Sequence, residues 1–225
     1  MKRITVLLAE DHKIVREGLR SLLEHEGDIE VVGEAGTGRE AVQLTRKLLP
    51  AVVVMDIAMP LLNGLEATRQ IRKDFPNTKI IILSAHGDEV YVEQVTTLGA
   101  AGFLLKQTSS HILAKAIREV QKGNTFYCPP ISRHLKALDK KSRDRTGRPG
   151  KRNNRLSPRE AEVLQLIAEG KPNKQVAAEL GLSFKTVDKH RQHLMAKLDI
   201  HDVAGLTRYA INAGIIESSV QITIV

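Results

Sequence analysis

Three acids close apolar runs in a way that suits cation and phosphate chemistry. VVVMDIAMP at 52–60 carries four apolar residues straight into Asp56, and RITVLLAED at 3–11 ends in Glu10 and Asp11. Two further polar residues stand at the ends of such runs, Ser84 after KIIILS and Lys106 after GFLL. Carboxylates held close together repel and raise one another's pKa values. A hard cation with oxygen ligands relieves that repulsion, and Mg2+ takes one or two carboxylates together with water and phosphate. With a divalent cation and Lys106 counted, the three acids are balanced, so one more negative group would upset the site. Each residue alone has an ordinary explanation. Acids and hydroxyls cap helices, which would make Asp11 the N-cap of the first helix, and a lysine after a strand is usually solvated.

The elements that would position these residues alternate. Runs at 3–9, 29–35, 51–55, 79–84 and 102–106 read as strands, and Val52, Val53, Val54 and Met55 suit a strand covered on both faces. Helical spacing follows each of them: Val15, Leu19, Leu22 and Leu23, then 38–49, 63–74, 88–98, and Ile112 to Val120. Five strands alternating with five helices predict a doubly wound parallel sheet, and right-handed crossovers leave few topologies. The flavodoxin-like order 2-1-3-4-5 sets the first and third strands side by side, and ligands of such sheets bind beyond the carboxyl ends of the strands. Under that order Glu10, Asp11 and Asp56 converge in one crevice, with Ser84 and Lys106 on the same edge.

Composition bounds the rest. The chain has 225 residues, 42% hydrophobic and 27% charged, which predicts one or two domains. No apolar run approaches the roughly 18 residues of a membrane helix. The apolar stretch in MKRITVLLAEDH ends in acids, so a signal peptide is not expected. A single cysteine, Cys128, excludes an intrachain disulfide framework and suits a cytoplasmic protein. The net charge of +8 is local. Residues 1–132 and 156–225 are each balanced, whereas 133–155 hold 10 basic and 2 acidic residues. That segment is polar and contains Gly147, Pro149 and Gly150. It reads as the body of a basic flexible linker, 123–155, a solvated tether that also attracts polyanions.

Residues 156–216 predict a small all-α domain of four helices. Ser157-Pro158 with Glu160 is a capping box with proline at the first helical position. Gly170 and Gly181 end the first two helices, Ser183 caps the third, and Asp202 begins the fourth. Segments 173–180 and 183–198, joined at Gly181-Leu182, have helix-turn-helix proportions. Val187, Leu194 and Leu198 form the buried stripe of 183–198. Lys185, Lys189, Gln192 and Ala196 form the opposite face, with Asp188 and His193 flanking. Lys185, Lys189, Arg191 and Lys197 against Asp188 make this helix the positive element of a neutral domain, suited to a major groove. A solvated charged face would look the same from charge alone. His190 lies by the buried stripe, and nothing nearby has zinc spacing.

These residues carry two resemblances. Residues 1–122 resemble the receiver domain of a bacterial two-component response regulator, through Glu10-Asp11, the aspartate in MDIAMP, Ser84 in ILSA and Lys106 in GFLLK. The resemblance implies that Asp56 is the phosphoacceptor for a sensor histidine kinase, and that Glu10, Asp11, Asp56 and the Ala58 carbonyl hold Mg2+. It also implies that Ser84 and Lys106 contact phosphoryl oxygens. Phe103 takes the place of a switch aromatic that is more often tyrosine, and it is expected to turn inward on phosphorylation. Residues 156–216 resemble the LuxR-type output domain of NarL/FixJ response regulators, through LSPREAEVL, Asn173-Lys174, KTVDKH and AINAGII. That implies double-stranded DNA as partner, with Lys185, Asp188, Lys189 and Gln192 at base edges. Lys174, Ser183, Thr186, Arg191, His193 and Lys197 would lie at phosphates. The family also implies a homodimer when phosphorylated, its last helix (about 202–213) pairing, and a receiver that covers the recognition helix until phosphorylated. Pro172 departs from the usual small hydroxyl residue, and Asp188 from a common lysine.

Two other readings remain at this stage. An aspartyl-phosphate phosphohydrolase would keep the same nucleophile, but such enzymes often carry an acid two residues later, where this chain has Ala58. A receiver-like interaction module fused to a DNA-binding domain would never take phosphate. The intact five-residue set argues against it, and Phe103 leaves room for it. The apolar tail 217–225 suggests no role.

Overall fold

The computed structural model describes residues 3–85, 94–127 and 156–216. It divides into two compact units, Met1–Arg152 and Asn153–Val225. The expected linker from 128 onward, Cys128 and the tail 217–225 lie outside the described residues, as does most of the helix expected at 88–98, of which 94–97 are helical.

The first unit is built on strands β1 (Ile4–Ala9), β2 (Ile29–Ala35), β3 (Val52–Asp56), β4 (Lys79–Ser84), β5 (Gly102–Leu105) and β6 (Phe126–Tyr127). They form one sheet in the order β2-β1-β3-β4-β5-β6, all pairs parallel. The expected order 2-1-3-4-5 is therefore present, with a sixth short strand added at the edge. That strand lies inside the segment read as linker from 123. Gly102 pairs with Phe126 and Phe103 with Tyr127, so the sheet runs past 122. The signal was two aromatics among polar residues, too short for an apolar run to show.

Helices α1 (Lys13–Glu24), α2 (Gly38–Leu48), α3 (Gly64–Asp74) and α4 (Ser110–Gln121) cover the sheet. α1 packs beside α4, and α2 beside α3. The caps are local chemistry: Thr37 accepts from Glu40 N and Asn63 from Glu66 N at the starts of α2 and α3. Every residue of β3 is buried, as a strand flanked on both sides and covered on both faces requires.

The second unit holds α5 (Pro158–Ala168), α6 (Asn173–Leu180), α7 (Phe184–Leu198) and α8 (Val203–Asn212). The Ser157–Glu160 capping box is complete, with Pro158 in the first turn. Ser183 accepts from Thr186 N and Asp202 from Gly205 N, as their positions predict. Val163, Leu164, Val176, Val187, Leu194 and Leu206 make the core, and Leu198 is only half-buried. Gly181, with φ +62, turns the chain between α6 and α7.

Candidate functional site

Register brings the site together. Ala9 pairs with Met55, which sets Glu10 level with Asp56 across β1 and β3. Asp56 pairs with Leu83 and Ser84 with Leu105, so Ser84 and Lys106 each follow one step beyond. The Lys106 amide donates to the Ser84 carbonyl at 2.8 Å, which locks the last pair of ends. All parallel strands finish on one edge, and the polar residues that close them meet there.

Glu10, Asp56 and Ser84 are buried, with Asp56 only 1% exposed. The Lys106 ammonium lies 3.0 Å from Asp56 Oδ2, and 2.9 and 3.1 Å from the two Glu10 oxygens. It therefore ties the first and third strands' acids to the fifth strand. Both Asp56 oxygens, Asp11 Oδ1 and Glu10 Oε2 have no hydrogen-bond partner among the described residues. Burial pushes the Asp56 carboxyl up from 3.8 to about 7, the Glu10 charge adds to the push, and Lys106 opposes it. Burial also works against the Lys106 charge, but Asp56 and Glu10 outweigh it and its pKa is raised.

Those orphaned oxygens are the test of whether a divalent cation fits. Buried carboxylate oxygens with no donors are the hard, anionic ligands that Mg2+ takes, so the residues present suit it. Glu10, Asp11 and His12 also place ligand atoms within 4.8 Å of one another. His12 is exposed and was not expected here. Its Nδ1 lies 2.8 Å from Asp11 Oδ1 and 3.1 Å from Glu10 Oε1, and Asp11 first, then the bond to Glu10, raise its pKa. His12, not Asp11, occupies the N-cap of α1, so Asp11 is left to the site.

Other supports were not legible beforehand. Arg16 Nη1 donates to the Glu10 carbonyl at 2.5 Å while its Nε reaches Glu34, which Arg20 also holds. A Cβ on Gly64 would lie 1.8 Å from the Asp56 carbonyl, so only glycine lets α3 start against the end of β3. Ala58 follows in a half-buried turn. The Phe103 ring is fully buried, so from this conformation no inward turn is available to it. Lacking a hydroxyl, it has nothing to hold it at the surface, and β4 and β6 flank it.

A groove opens beside the carboxyl edge of the sheet. Ile14, Val15, Leu22, Leu105 and Leu113 line it between α1 and α4, and Lys106 stands in its wall. Ile14 is 83% exposed.

In the second unit α7 presents Lys185, Lys189, Gln192, His193 and Ala196 to solvent, while Thr186 and Asp188 are half-buried. Asp188 accepts from Gln192 Nε2 at 2.9 Å. Ser183 is exposed at the cap of α7, and Lys174 is exposed on α6. Two of the phosphate candidates are engaged inside the unit. Arg191 donates to Asn173 at 3.0 Å, and Lys197 bonds Glu160 at 2.9 Å, bracing α7 against the capping box of α5. Pro172 supplies no side-chain cap to α6 among the described residues, as its ring predicts.

Comparison with known proteins follows this division. The response regulator receiver domain family matches residues 6–118, and the luxR family of bacterial regulatory proteins matches 154–210. The chain is 36% identical to the transcriptional regulatory protein MctR of Rhizobium johnstonii, over 95% of this chain and 96% of that protein. It is 39% identical to the transcriptional regulatory protein LiaR of Bacillus subtilis, over 92% and 96%. Among solved structures, RcsB of Salmonella typhimurium is similar with a TM-score of 0.63 at 30% identity, over 95% of this chain and 99% of that one. An RcsB–DNA complex is similar with a TM-score of 0.57 at 31% identity, over 92% and 98%. With a receiver domain matched first, a luxR-family domain second, and relatives covered over nearly their whole length, the chain belongs to the LuxR-type response regulators, DNA-binding transcription regulators of two-component systems.

Proposed function

We propose that Asp56 accepts a phosphoryl group from a phosphohistidine of a sensor kinase, and that this modification governs dimeric binding of double-stranded DNA through α7. The observation that carries the reading is the Asp56 carboxylate itself. It is buried, its Oδ1 has no hydrogen-bond partner among the described residues, and Lys106 stands 3.0 Å from its Oδ2. A structural aspartate at a strand end would be solvated or would cap a helix.

In the transfer, an Asp56 oxygen forms a bond to phosphorus, the phosphorus–nitrogen bond of the donor breaks, and its electron pair returns to the imidazole. Glu10, Asp11, Asp56 and the Ala58 carbonyl would hold Mg2+, which supplies positive charge to the phosphoryl oxygens. Lys106 opposes the upward push of burial on the Asp56 pKa and would take a phosphoryl oxygen, with the Ser84 hydroxyl for another. The product carries about two negative charges where Asp56 carried one. Lys106 then has two claimants, Glu10 and the phosphoryl group, and its shift from the first toward the second alters the edge formed by β4 and β5. Phe103, within β5, would transmit that change through its pairing with β4 and β6 and not by rotation from solvent.

On DNA, Lys185, Asp188, Lys189 and Gln192 would read base edges. Lys174, Ser183, Thr186 and His193 would meet phosphates, with Arg191 and Lys197 available only on leaving their present partners. The test is labelling. The purified chain, incubated with acetyl phosphate and Mg2+, is expected to gain a stable, alkali-labile phosphate that Asp56→Asn abolishes. Donor turnover without a labelled protein would indicate a phosphohydrolase, and no labelling at all would indicate a module that never takes phosphate.

A further inference from the structure

Helix α7 carries two parallel ridges on its outer side. Lys185, Lys189 and His193 form one at four-residue spacing. Phe184, Asp188 and Gln192 form the other, and it is chemically mixed: an aromatic ring, a carboxylate and an amide. Gln192 already holds the Asp188 carboxylate at 2.9 Å, so the lower two members are oriented as a pair. Phe184 heads the ridge and is 58% exposed, more than any other large apolar side chain in the described residues 156–216. Single exposed apolar residues on a surface are ordinary. This one occupies the first turn of the second helix of a helix-turn-helix, where recognition helices direct their N-terminal residues at base edges. The Ser183 side chain is spent on the cap, bonding Thr186 N and Thr186 Oγ1, and so does not screen the ring.

The apolar group that a major groove offers is the 5-methyl of thymine, and a Phe ring is one of the side chains that meets it. We infer that Phe184 is a specificity-determining residue that packs on a thymine methyl, adjacent to the base whose amino group Asp188 accepts. Positions four apart on a helix are roughly 6 Å apart along its axis, or one to two base steps. The half-site therefore pairs a thymine with a neighbouring cytosine or adenine amino group. Lys185 and Lys189, each one position on from Phe184 and Asp188, reach neighbouring base edges of the same groove. The inference rests on α7 being the DNA-reading helix.

Selection of bound duplexes from a random pool by the full chain, treated with acetyl phosphate and Mg2+, defines the site. Each thymine of that site is then replaced singly by deoxyuridine, which lacks only the methyl. For the unaltered chain, one replacement per half-site is expected to weaken binding by about three- to fivefold, the effect of uncovering one methyl group. Phe184→Ala is expected to bind thymine and deoxyuridine sites alike, at the affinity the unaltered chain shows for deoxyuridine, and Phe184→Leu to keep part of the discrimination. Both substitutions are at an exposed position, and unchanged thermal midpoints are expected to confirm folding. Phe184→Ala that still discriminates, or an unaltered chain indifferent to every replacement, overturns the inference while leaving DNA binding intact. A chain that retains no duplex at low salt overturns the reading of α7 as well.

Discussion

At Asp56, burial and function pull in opposite directions. A carboxylate sealed from water beside a second acid is costly in its ionised form even with Lys106 opposing, which is why its pKa moves from 3.8 to about 7. Because the folded-state value is the higher one, protonation favours the fold. The contribution is fully present below 3.8 and is lost as pH rises through about 7. Asp56→Asn, neutral at every pH, is therefore expected to stabilise the metal-free chain most above pH 7. The gain is roughly 1–3 kcal/mol, since the amide gives up the Lys106 ion pair. It shrinks steadily toward pH 4. Thermal melts in EDTA across that range check this, and Mg2+ should narrow the gap by binding the unsubstituted chain. A variant no more stable at pH 8 than at pH 5, relative to the parent, would contradict the account.

The elements matter through what they brace. The β1–α1 turn carries Glu10, Asp11 and His12, and Arg16 fixes it from one turn into α1 by gripping the Glu10 carbonyl and Glu34 on β2. In the second unit the same economy appears at the capping box. Glu160 accepts Lys197 and also closes the box with the Ser157 amide. A helix start is thereby tied to the far end of α7. Lys197→Gln is expected to lower the stability of the helix-turn-helix unit by about 0.5–1.5 kcal/mol, the worth of one charge-assisted bond at a partly exposed site. It is expected to leave the salt dependence of DNA binding unchanged, whereas losing a phosphate contact would reduce that slope by about one. Denaturation curves and binding isotherms at several salt concentrations separate brace from contact.

For the molecule as a whole, the proposed phosphotransfer requires that a phosphodonor protein reach a buried acid. The groove between α1 and α4 runs to Lys106, and its rim carries Ile14 almost fully exposed. An apolar surface leading to the reacting edge suits a donor that presents its histidine from a helix. Ile14→Glu is expected to slow transfer from the kinase at least tenfold, on the scale of an interface anchor worth more than about 1.4 kcal/mol. Labelling by acetyl phosphate, which needs no docking surface, should be unaffected. Equal losses with both donors would place Ile14 in the site and not in a docking surface.

The sequence by itself determined much of what depends on neighbours within a turn, although His12 and not Asp11 stands at the N-cap of α1. Ser157, Ser183 and Asp202 cap their helices because a side chain reaches the amide three residues on, and that geometry is written in the spacing. The apolar runs determined that four of the strands end in polar residues, and parallel pairing then requires those ends to share an edge. Only the tertiary structure decided what depends on how elements cross. Arg16 and Glu34 are 18 residues apart and Lys197 and Glu160 are 37 apart, distances at which no periodicity speaks. The two-residue strand β6, which flanks Phe103, exists because β5 offers it an edge. Gly64 is required because the Asp56 carbonyl comes within a bond's length of where a Cβ would stand. Hydrogen bonds along the chain follow from residue order, while those across it follow from the packing of the finished sheet and helices.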